Sequence, residues 1–396
     1  MTNARSLLRT DVRSRVDAVR DEVVTIRRDI HAHPELGWHE ERTTQVLHDR
    51  LVEAGLSPQV LPTGTGLICD IGSGDTCVAL RADLDALPVV EAAESPYRSR
   101  TAGVMHACGH DMHSATLLGA GLVLAGMSAD GVMDHRRVRL IFQPAEEVMP
   151  GGALGVIAAG GLESVHRIYG LHCDPRLDAG QVGLRIGALT AASDRVLVRL
   201  LGPGGHTSRP HLTGDLVQAL AALVSQLPST LSRRLDPRAA ATLVWGRITA
   251  GSVANAIPSR GEAEGTIRCL DSGAWKQAAD LVPELAAQLV APYGVDIDTE
   301  VTHGVPPVMN DALAIDVLRR AVEQTLGSAA VAPTDQSLGG EDFAWYLEHV
   351  PGAMARLGVR TPGIDVAPDL HTPDFSPDES ALAIGMTVLI AAALLD

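Results

Sequence analysis

The stretch with the clearest chemical potential is the pair of adjacent carboxylates Glu146 and Glu147. It follows the apolar run 138–142, which predicts a buried strand, and Pro144 predicts that the strand stops there, because proline cannot continue a central strand. Ligands of open α/β sheets collect beyond the carboxyl ends of the strands. Adjacent side chains in extended backbone point to opposite sides, so one carboxylate can bind a metal while the other faces water on it. In isolation, a solvated acidic turn would look the same.

Other predicted strands also end in potential metal ligands. An apolar strand at 77–82 is followed by Asp83 and Asp85, and a strand at 167–171 ends in His172. Because the carboxyl ends of parallel strands meet at one edge of a sheet, we expect these side chains to share a rim with the glutamate pair.

A thiol and an imidazole lie two positions apart at Cys108 and His110, and the intervening glycine allows the backbone to bend so that they converge. A helix is predicted after them, from about Ser114. His371 stands in a loop before the last predicted helix. Thiolate, imidazole and carboxylate ligands together favour zinc, cobalt, nickel or manganese over magnesium or calcium. Each residue alone could equally be an inert buried cysteine or an ordinary hydrogen-bonded histidine.

Two earlier histidines are not favoured as ligands. His31 and His33 are two positions apart, which places them on different faces of a helix, and Pro34 ends that helix. The order of residues 39–43, His-Glu-Glu-Arg-Thr, is not the His-Glu-x-x-His pattern of a helical zinc site.

The chain length of 396 residues predicts two domains. Between residues 187 and 301 the predicted elements run β-α-β-β-α-β, the order of a ferredoxin-like unit, with glycine- and proline-containing joints on both sides. Elsewhere strands alternate with helices, which predicts a mainly parallel sheet. The expected fold is therefore α/β: a discontinuous catalytic domain of residues 1–186 and 302–396, interrupted by an inserted domain of residues 187–301.

Composition narrows the class of partner. The net charge of −16 argues against nucleic acid and anionic membranes as partners, and a small-molecule substrate remains. The net charge does not predict the charge of that substrate, because a bound cation inverts the local charge of a site. The five scattered cysteines are an odd number and predict a reduced, cytoplasmic protein rather than a disulfide framework. The N-terminus has no apolar signal-peptide core, and the apolar tail 381–395 is too short to cross a bilayer.

Taken together, the motifs resemble those of the aminoacylase and carboxypeptidase family of two-metal hydrolases. The likeness is strongest to its amidohydrolase branch, which includes hippurate hydrolases, indole-acetyl-amino-acid hydrolases and N-acyl-amino-acid deacylases. It covers nearly the whole chain and is carried by segments 105–113, 143–147, 170–172, 204–210 and 371–375. One departure is that other branches have His-x-Asp where this chain has Arg81-Ala82-Asp83. Arginine cannot bind a metal cation, which fits the branch where a cysteine and a histidine take over.

The resemblance implies two divalent transition-metal ions per chain, which could be manganese, zinc, cobalt or nickel. Cys108 would bridge them as a thiolate, and the other ligands would be His110, Glu147, His172 and His371. Glu146 would be the general base, and Asp83, Asp85 and His113 would orient the ligands.

The resemblance also implies a homodimer that pairs through the inserted dimerisation or lid domain. Its His206 would donate to the tetrahedral oxyanion in the partner's active site. Asn255 and Arg268 would hold the substrate carboxylate, although Arg268 could equally be a surface cation on a strand.

The expected activity is metal-dependent hydrolysis of N-acyl or N-aroyl amino acids to a carboxylic acid and an amino acid. A dipeptidase or carboxypeptidase of the same family is an alternative with the same chemistry. A catalytically silent relative that binds metal or an acyl-amino acid as a sensor is an alternative of another class. The presence of Glu146 favours the enzyme, because a silent relative need not keep a general base.

Overall fold

The computed structural model describes residues 2–133 and 135–396, with side chains described from Asp11 onward. Within these residues the α-helices are α1 (Thr2–Ala32), α2 (Glu41–Glu53), α3 (His110–Ala129), α4 (Ala153–Ala158), α5 (Leu216–Ser232), α6 (Ser272–Val290), α7 (Ala312–Thr325), α8 (Ala344–Leu347) and α9 (Ala381–Leu395). The strands are β1 (Gln59–Val60), β2 (Leu67–Gly72), β3 (Cys77–Asp83), β4 (Arg137–Gln143), β5 (Val165–Asp178), β6 (Val182–Leu184), β7 (Gly187–Ala188), β8 (Ala192–Leu201), β9 (Gly205–His206), β10 (Thr242–Ala250), β11 (Ala256–Ile257), β12 (Arg260–Cys269), β13 (Asp296–Val305), β14 (Met309–Asn310), β15 (Val331–Pro333) and β16 (Gly352–Arg360).

Internal contacts divide the chain into two compact units. The first consists of Met1–Gly187, Asn310–Asp335 and Asp342–Asp396, and the second of Ala188–Met309 and Gln336–Glu341. The second unit extends beyond the segment 187–301 that the sequence predicts to be inserted, since its main segment continues to Met309 and it also includes Gln336–Glu341.

An eight-stranded sheet forms the centre of the first unit, in the order β1-β2-β4-β3-β5-β16-β6-β15. Its middle strands β4, β3, β5 and β16 are parallel to their neighbours in this group. Strand β3 is buried at every position, as a central strand covered on both faces should be. The predicted mixed α/β fold with a mainly parallel central sheet is confirmed.

Helices α1, α3 and α9 pack together against this sheet. Small residues permit the close approach: a Cβ on Gly119 would lie 2.2 Å from Met386 Sδ, and one on Gly121 would lie 2.4 Å from Leu140 Cδ1. Among the described residues, α3 has the length and composition of a membrane-crossing helix, but 83% of its most apolar window is buried inside the protein. A core helix has the same properties, so α3 is explained by its packing.

The second unit contains the element order β8-α5-β10-β12-α6-β13. The four strands form an antiparallel sheet in the order β10-β12-β8-β13, which is the strand order of a ferredoxin-like unit. Helices α5 and α6 pack on each other and on this sheet. Asp215 and Asp271 cap their first turns by accepting bonds from the backbone N–H groups of Gln218 and Ala274.

Two of the predicted element boundaries are wrong in ways that matter for the site. Helix α3 begins at His110 rather than near Ser114, so the histidines of this segment belong to its first turn. Strand β5 continues to Asp178, so His172 lies within the strand and not at its end. It still reaches the expected rim, because the pairing of β3 with β5 ends at Gly170 and β5 extends past that point.

A buried charged cluster ties α1 to the first turn of α3. His31 Nδ1 lies 2.8 Å from Asp111 Oδ2, and His31 Nε2 lies 3.2 Å from Glu91 Oε1. Arg27 Nε lies 2.7 Å from the same Asp111 oxygen. Burial lowers the pKa of His31, but the Asp111 charge and the two hydrogen bonds outweigh it, so its pKa is raised above the ordinary value.

This cluster predicts a pH-dependent contribution to stability. Because the folded-state pKa of His31 is raised, its contribution is fully present below the unfolded value of about 6.5 and is lost as pH rises through the folded value. We expect His31→Gln to lower the thermal unfolding temperature by several degrees at pH 6 and by less at pH 9. The half-buried His33, which lies outside this cluster, is changed to Gln as the matched control for the loss of a histidine from α1 or the turn after it. A His31→Gln deficit that stays constant or grows with pH would contradict the assignment.

Candidate metal centre

The structure brings the five predicted ligands into one cluster, with Cys108 at its centre. Cys108 Sγ lies 3.6 Å from His172 Nε2 and 3.2 Å from His371 Nε2. Glu147 Oε1 lies 3.4 Å from His371 Nε2 and 3.9 Å from His110 Nε2. The possible ligand atoms form two groups that share the thiol, Cys108–His110–His172 and Cys108–Glu147–His371.

Gly109 makes the turn that brings Cys108 and His110 together. Its φ of 82° lies in the left-handed region that glycine adopts without cost, and it directly precedes α3. A Cβ at this position would also lie 2.9 Å from the Cys173 sulfur. The first turn of α3 then closes with the backbone N–H groups of Met112 and His113 donating to the Gly109 carbonyl.

Asp85 fastens the glutamate pair to this helix. Its Oδ1 accepts from the backbone N–H of Glu146 at 3.0 Å and lies 3.2 Å from His110 Nδ1. Its Oδ2 accepts from the backbone N–H of Glu147 at 2.8 Å. With the Nδ1 proton directed at Asp85, the other ring nitrogen of His110 faces the cluster, which is the tautomer that a metal ligand needs.

His113 forms two hydrogen bonds beside the cluster and belongs to a further candidate ligand group with Asp83 and His110. Its Nδ1 donates to Asp83 Oδ1 at 2.6 Å, and its Nε2 accepts from the backbone N–H of Cys173 at 2.8 Å. Both ring nitrogens of His113 are therefore occupied. Burial raises the pKa of Asp83, but His110, His113 and Arg81 outweigh it and hold that pKa well below the ordinary value.

Arg81 is the centre of a second buried network beneath the rim. Its guanidinium donates to Asp83 Oδ2 at 2.6 Å, Asp342 Oδ1 at 2.7 Å and Gln143 Oε1 at 2.9 Å. Asp342 also accepts from the backbone N–H of Ala153 at 3.0 Å. Arg81 therefore neutralises two buried carboxylates and joins the ends of β3 and β4.

His172 on β5 and His371 in the loop before α9 both lie close to the Cys108 thiol. His172 Nδ1 donates to the Cys173 carbonyl at 2.8 Å, which leaves Nε2 facing Cys108. Burial, followed by the nearby Arg356 and His113, holds the pKa of His172 well below its ordinary value, so the imidazole is neutral. Hydrogen bonds to Cys108 and Glu147 raise the pKa of His371 to about 10 in the absence of a cation.

The donor set fits a divalent transition metal. His110 Nε2 is buried without a hydrogen-bond partner, a costly state for a polar atom, and it faces Glu147 Oε1 at 3.9 Å. Burial raises the pKa of the Cys108 thiol, and a divalent cation would reverse this effect by favouring the thiolate. Neutral imidazole, carboxylate and thiolate together are ligands of zinc-like ions.

One buried carboxylate that contacts the backbone of this site was not predicted from the sequence. Glu40 is fully buried, and its Oε1 accepts from the backbone N–H of Ala145 at 2.7 Å, next to the glutamate pair. Burial raises its pKa above the ordinary value. Glu40 belongs to the segment 39–43, which the sequence analysis considered only for its histidine, and no feature of the sequence indicated that its carboxylate is buried.

The remaining predicted residues lie in the second unit. His206 is exposed on β9, opposite Ala256 of β11, and the backbone N–H of Thr207 donates to the Asn255 carbonyl at 3.3 Å. The structure thus places His206 and Asn255 on neighbouring chain segments. His206 Nδ1 accepts from the backbone N–H of Ser208 at 3.1 Å, so its neutral ring carries the proton on Nε2. Arg268 is half-buried on β12, where burial lowers its pKa.

Comparisons with known proteins agree with this architecture. A family model described as Peptidase family M20/M25/M40 matches residues 79–395. An N-acetyl-L-cysteine deacetylase from Bacillus subtilis is 38% identical over 91% of this chain and 85% of its own length. A Bacillus subtilis crystal structure described as a dinuclear metal binding peptidase from the M20 family has a TM-score of 0.82 and 33% identity, with 96% of this chain and 98% of that chain covered.

One similar protein is much longer than this chain. A Rhodococcus jostii protein named "Putative glutamate--cysteine ligase 2-3" is 50% identical over 93% of this chain, but the chain spans only 46% of its length.

The family match covers most of the present sequence, and the chain therefore belongs to Peptidase family M20/M25/M40. It is a metal-dependent amidohydrolase, as the motif resemblance implied.

Proposed function

We propose that this protein hydrolyses the amide bond of N-acyl or N-aroyl amino acids with two divalent metal ions per chain. The observation that carries the proposal is the position of Cys108, whose sulfur belongs to two candidate ligand groups. Glu146 belongs to a third group, which shares His110 with one of them and Glu147 with the other. Relatives named as an N-acetyl-L-cysteine deacetylase and an N-acyl-L-amino acid amidohydrolase support the same substrate class at 38% and 33% identity.

In this proposal Cys108 would help to hold both ions, because its sulfur belongs to both candidate ligand groups. The remaining ligands are His110, Glu147, His172 and His371, with Asp83, Asp85 and His113 holding them in place through the hydrogen bonds described above. Bound divalent ions would lower the pKa of the attacking water and polarise the amide carbonyl.

Glu146 then acts as the general base. Its carboxylate lies in a candidate ligand group with His110 and Glu147, while its backbone is fixed by Asp85. It takes a proton from the attacking water and passes that proton to the leaving amine nitrogen, so that the amine departs neutral.

His206 donates a hydrogen bond to the tetrahedral oxyanion in the active site of the partner subunit. The Nδ1 contact to Ser208 leaves Nε2–H as the outward donor, which is the form that can stabilise a developing negative charge. Arg268 and Asn255 hold the substrate carboxylate. Arg268 is half-buried and its burial lowers its pKa, so a substrate carboxylate beside it would favour the charged guanidinium.

The homodimer that this requires would form through the edge strand β10. Of the two edges of the sheet in the second unit, β13 displays the carboxylates Asp296, Asp298 and Glu300, which discourage pairing with a second copy. Strand β10 carries Arg247 as its charged residue and exposes the apolar Val244 and Ile248. A second copy of β10 could extend the sheet across a two-fold axis.

All five cysteines are free and buried, in keeping with a cytoplasmic location.

A substrate panel tests the proposed function. N-acetyl, N-benzoyl and indole-acetyl amino acids are incubated with protein loaded with Mn²⁺, Zn²⁺, Co²⁺ or Ni²⁺, and the released amino acid is quantified. The same assay includes dipeptides and peptides with a free C-terminus. Preferential cleavage of the dipeptides or peptides would support the dipeptidase or carboxypeptidase alternative, and binding without cleavage of any compound would support the silent relative.

A further inference from the structure

Trp38 has a backbone conformation that tryptophan rarely adopts. The backbone N–H of His39 donates to the Leu36 carbonyl at 2.9 Å, which closes a turn with Trp38 in its third position. The φ of Trp38 is 68°, and this turn position normally belongs to glycine or asparagine. A bulky residue in the left-handed region persists only when its surroundings hold it there. The side chain nevertheless remains 40% exposed.

The turn of Trp38 is fixed to the turn that carries the glutamate pair. Glu40 accepts from the backbone N–H of Ala145 at 2.7 Å. Gly37 fits so closely that a Cβ on it would lie 2.7 Å from Val148 Cγ2 and 3.2 Å from Asp85 Oδ2. Trp38 is therefore held at a defined position beside the residues that flank Glu146.

Two further exposed apolar residues belong to the segments next to the indole: Leu154 precedes Gly155 on α4, and Val148 packs at Gly37. A Cβ on Gly155 would lie 3.9 Å from the Trp38 ring atom Cη2, which places the indole against α4. Leu154 of α4 and Val148 are 36% and 39% exposed. We call Trp38, Val148 and Leu154 the Trp38 shelf. Clustered apolar exposure next to a candidate active site is typical of a ligand-binding surface.

We propose that the Trp38 shelf receives the acyl group of the substrate and selects aromatic acyl groups over acetyl. This inference rests on the proposed hydrolysis of N-acyl amino acids. The scissile carbonyl must lie at Glu146 and Glu147, and the shelf begins at the next residue, Val148. It has no charged member that could hold the substrate carboxylate. An indole with aliphatic neighbours favours a flat apolar group, because aromatic rings gain from offset or edge contacts beyond simple burial.

The test compares N-benzoyl-alanine with N-acetyl-alanine in wild type, Trp38→Gly, Trp38→Phe and the control Val52→Ala, which alters a 49%-exposed apolar residue on α2. Glycine is favoured at positive φ, so Trp38→Gly removes the ring without straining the turn. We expect this variant to lower the benzoyl-to-acetyl ratio of kcat/KM by about tenfold or more. Trp38→Phe should keep most of the preference, and Val52→Ala should match wild type. An unchanged ratio, or a parallel loss on both substrates, would overturn the proposal.

Two further comparisons separate the remaining outcomes. If Trp38→Gly changes the preference between N-acetyl-phenylalanine and N-acetyl-alanine instead, the shelf binds the amino-acid side chain and the acyl assignment is wrong.

Benzoate binding to the metal-loaded protein, measured by calorimetry, tests the shelf without turnover. If wild type cleaves no N-acyl amino acid, the proposed function fails, but weaker benzoate binding by Trp38→Gly would still support an aromatic subsite. Equal benzoate affinity in both proteins would overturn it.

Discussion

Glu146→Gln protein is expected to bind its metal like wild type while kcat falls by about 10²–10⁴-fold, the usual effect of losing a general base. The amide has nearly the shape of the carboxylate but cannot take a proton from water. The turn should be preserved, because Asp85 holds this residue through its backbone N–H rather than its side chain. Metal content by mass spectrometry and steady-state kinetics on the best substrate measure the two effects.

Glu147→Gln is the matched control, since it makes the same chemical change one residue away. Glu147 Oε1 lies 3.9 Å from His110 Nε2 and 3.4 Å from His371 Nε2, as expected of a carboxylate that shares a metal with these two imidazoles. This variant should bind metal more weakly and recover activity when metal is added in excess. If Glu146→Gln lost the metal and Glu147→Gln kept it, the two roles would be reversed.

A mixture of two nearly inactive variants, His206→Ala and Glu146→Ala, is expected to regain activity once the subunits exchange. In a mixed dimer the His206→Ala chain keeps its own Glu146 and ligands and receives His206 from its partner. The other active site has lost Glu146 and stays inactive. With random exchange about a quarter of all active sites should therefore recover.

Exchange is verified with differently tagged chains, and the controls are each variant mixed with itself. The mixing ratio provides a further check, because recovery should follow the fraction of mixed dimers. If His206 served its own chain, both sites of a mixed dimer would remain defective. Verified exchange without recovered activity would therefore reject a donor from the partner.

The local motifs of this site could be predicted from the sequence, because they combine reactive residues with chain-turning ones. Cys108 and His110 are joined by a glycine that takes the left-handed conformation, and Glu146 follows a strand stopped by Pro144. The start of α3 was misplaced since its first turn is rich in polar residues. Those residues are helical because buried partners satisfy them, as Asp83 does for His113 and for the hydroxyl of Ser114.

The supporting contacts could not be predicted, because they join distant parts of the chain and leave no periodic signal. Glu40 bonds a backbone group 105 residues away, and Arg81 bonds Asp342 across 261 residues. A buried acid or arginine is identified by its partners, and only the fold brings these together. The strained backbone of Trp38 is likewise imposed by its neighbours and not by its own conformational preference.

A metal titration of the apoprotein tests the central claim most directly. The protein is stripped with a chelator under reducing conditions, then loaded with increasing Mn²⁺ or Zn²⁺, and bound metal and amidohydrolase activity are measured on the same samples. The proposed centre, with Cys108 shared between two ligand groups, predicts that activity reaches its plateau only at two bound ions per chain. Full activity with a single ion, or with none, would contradict it.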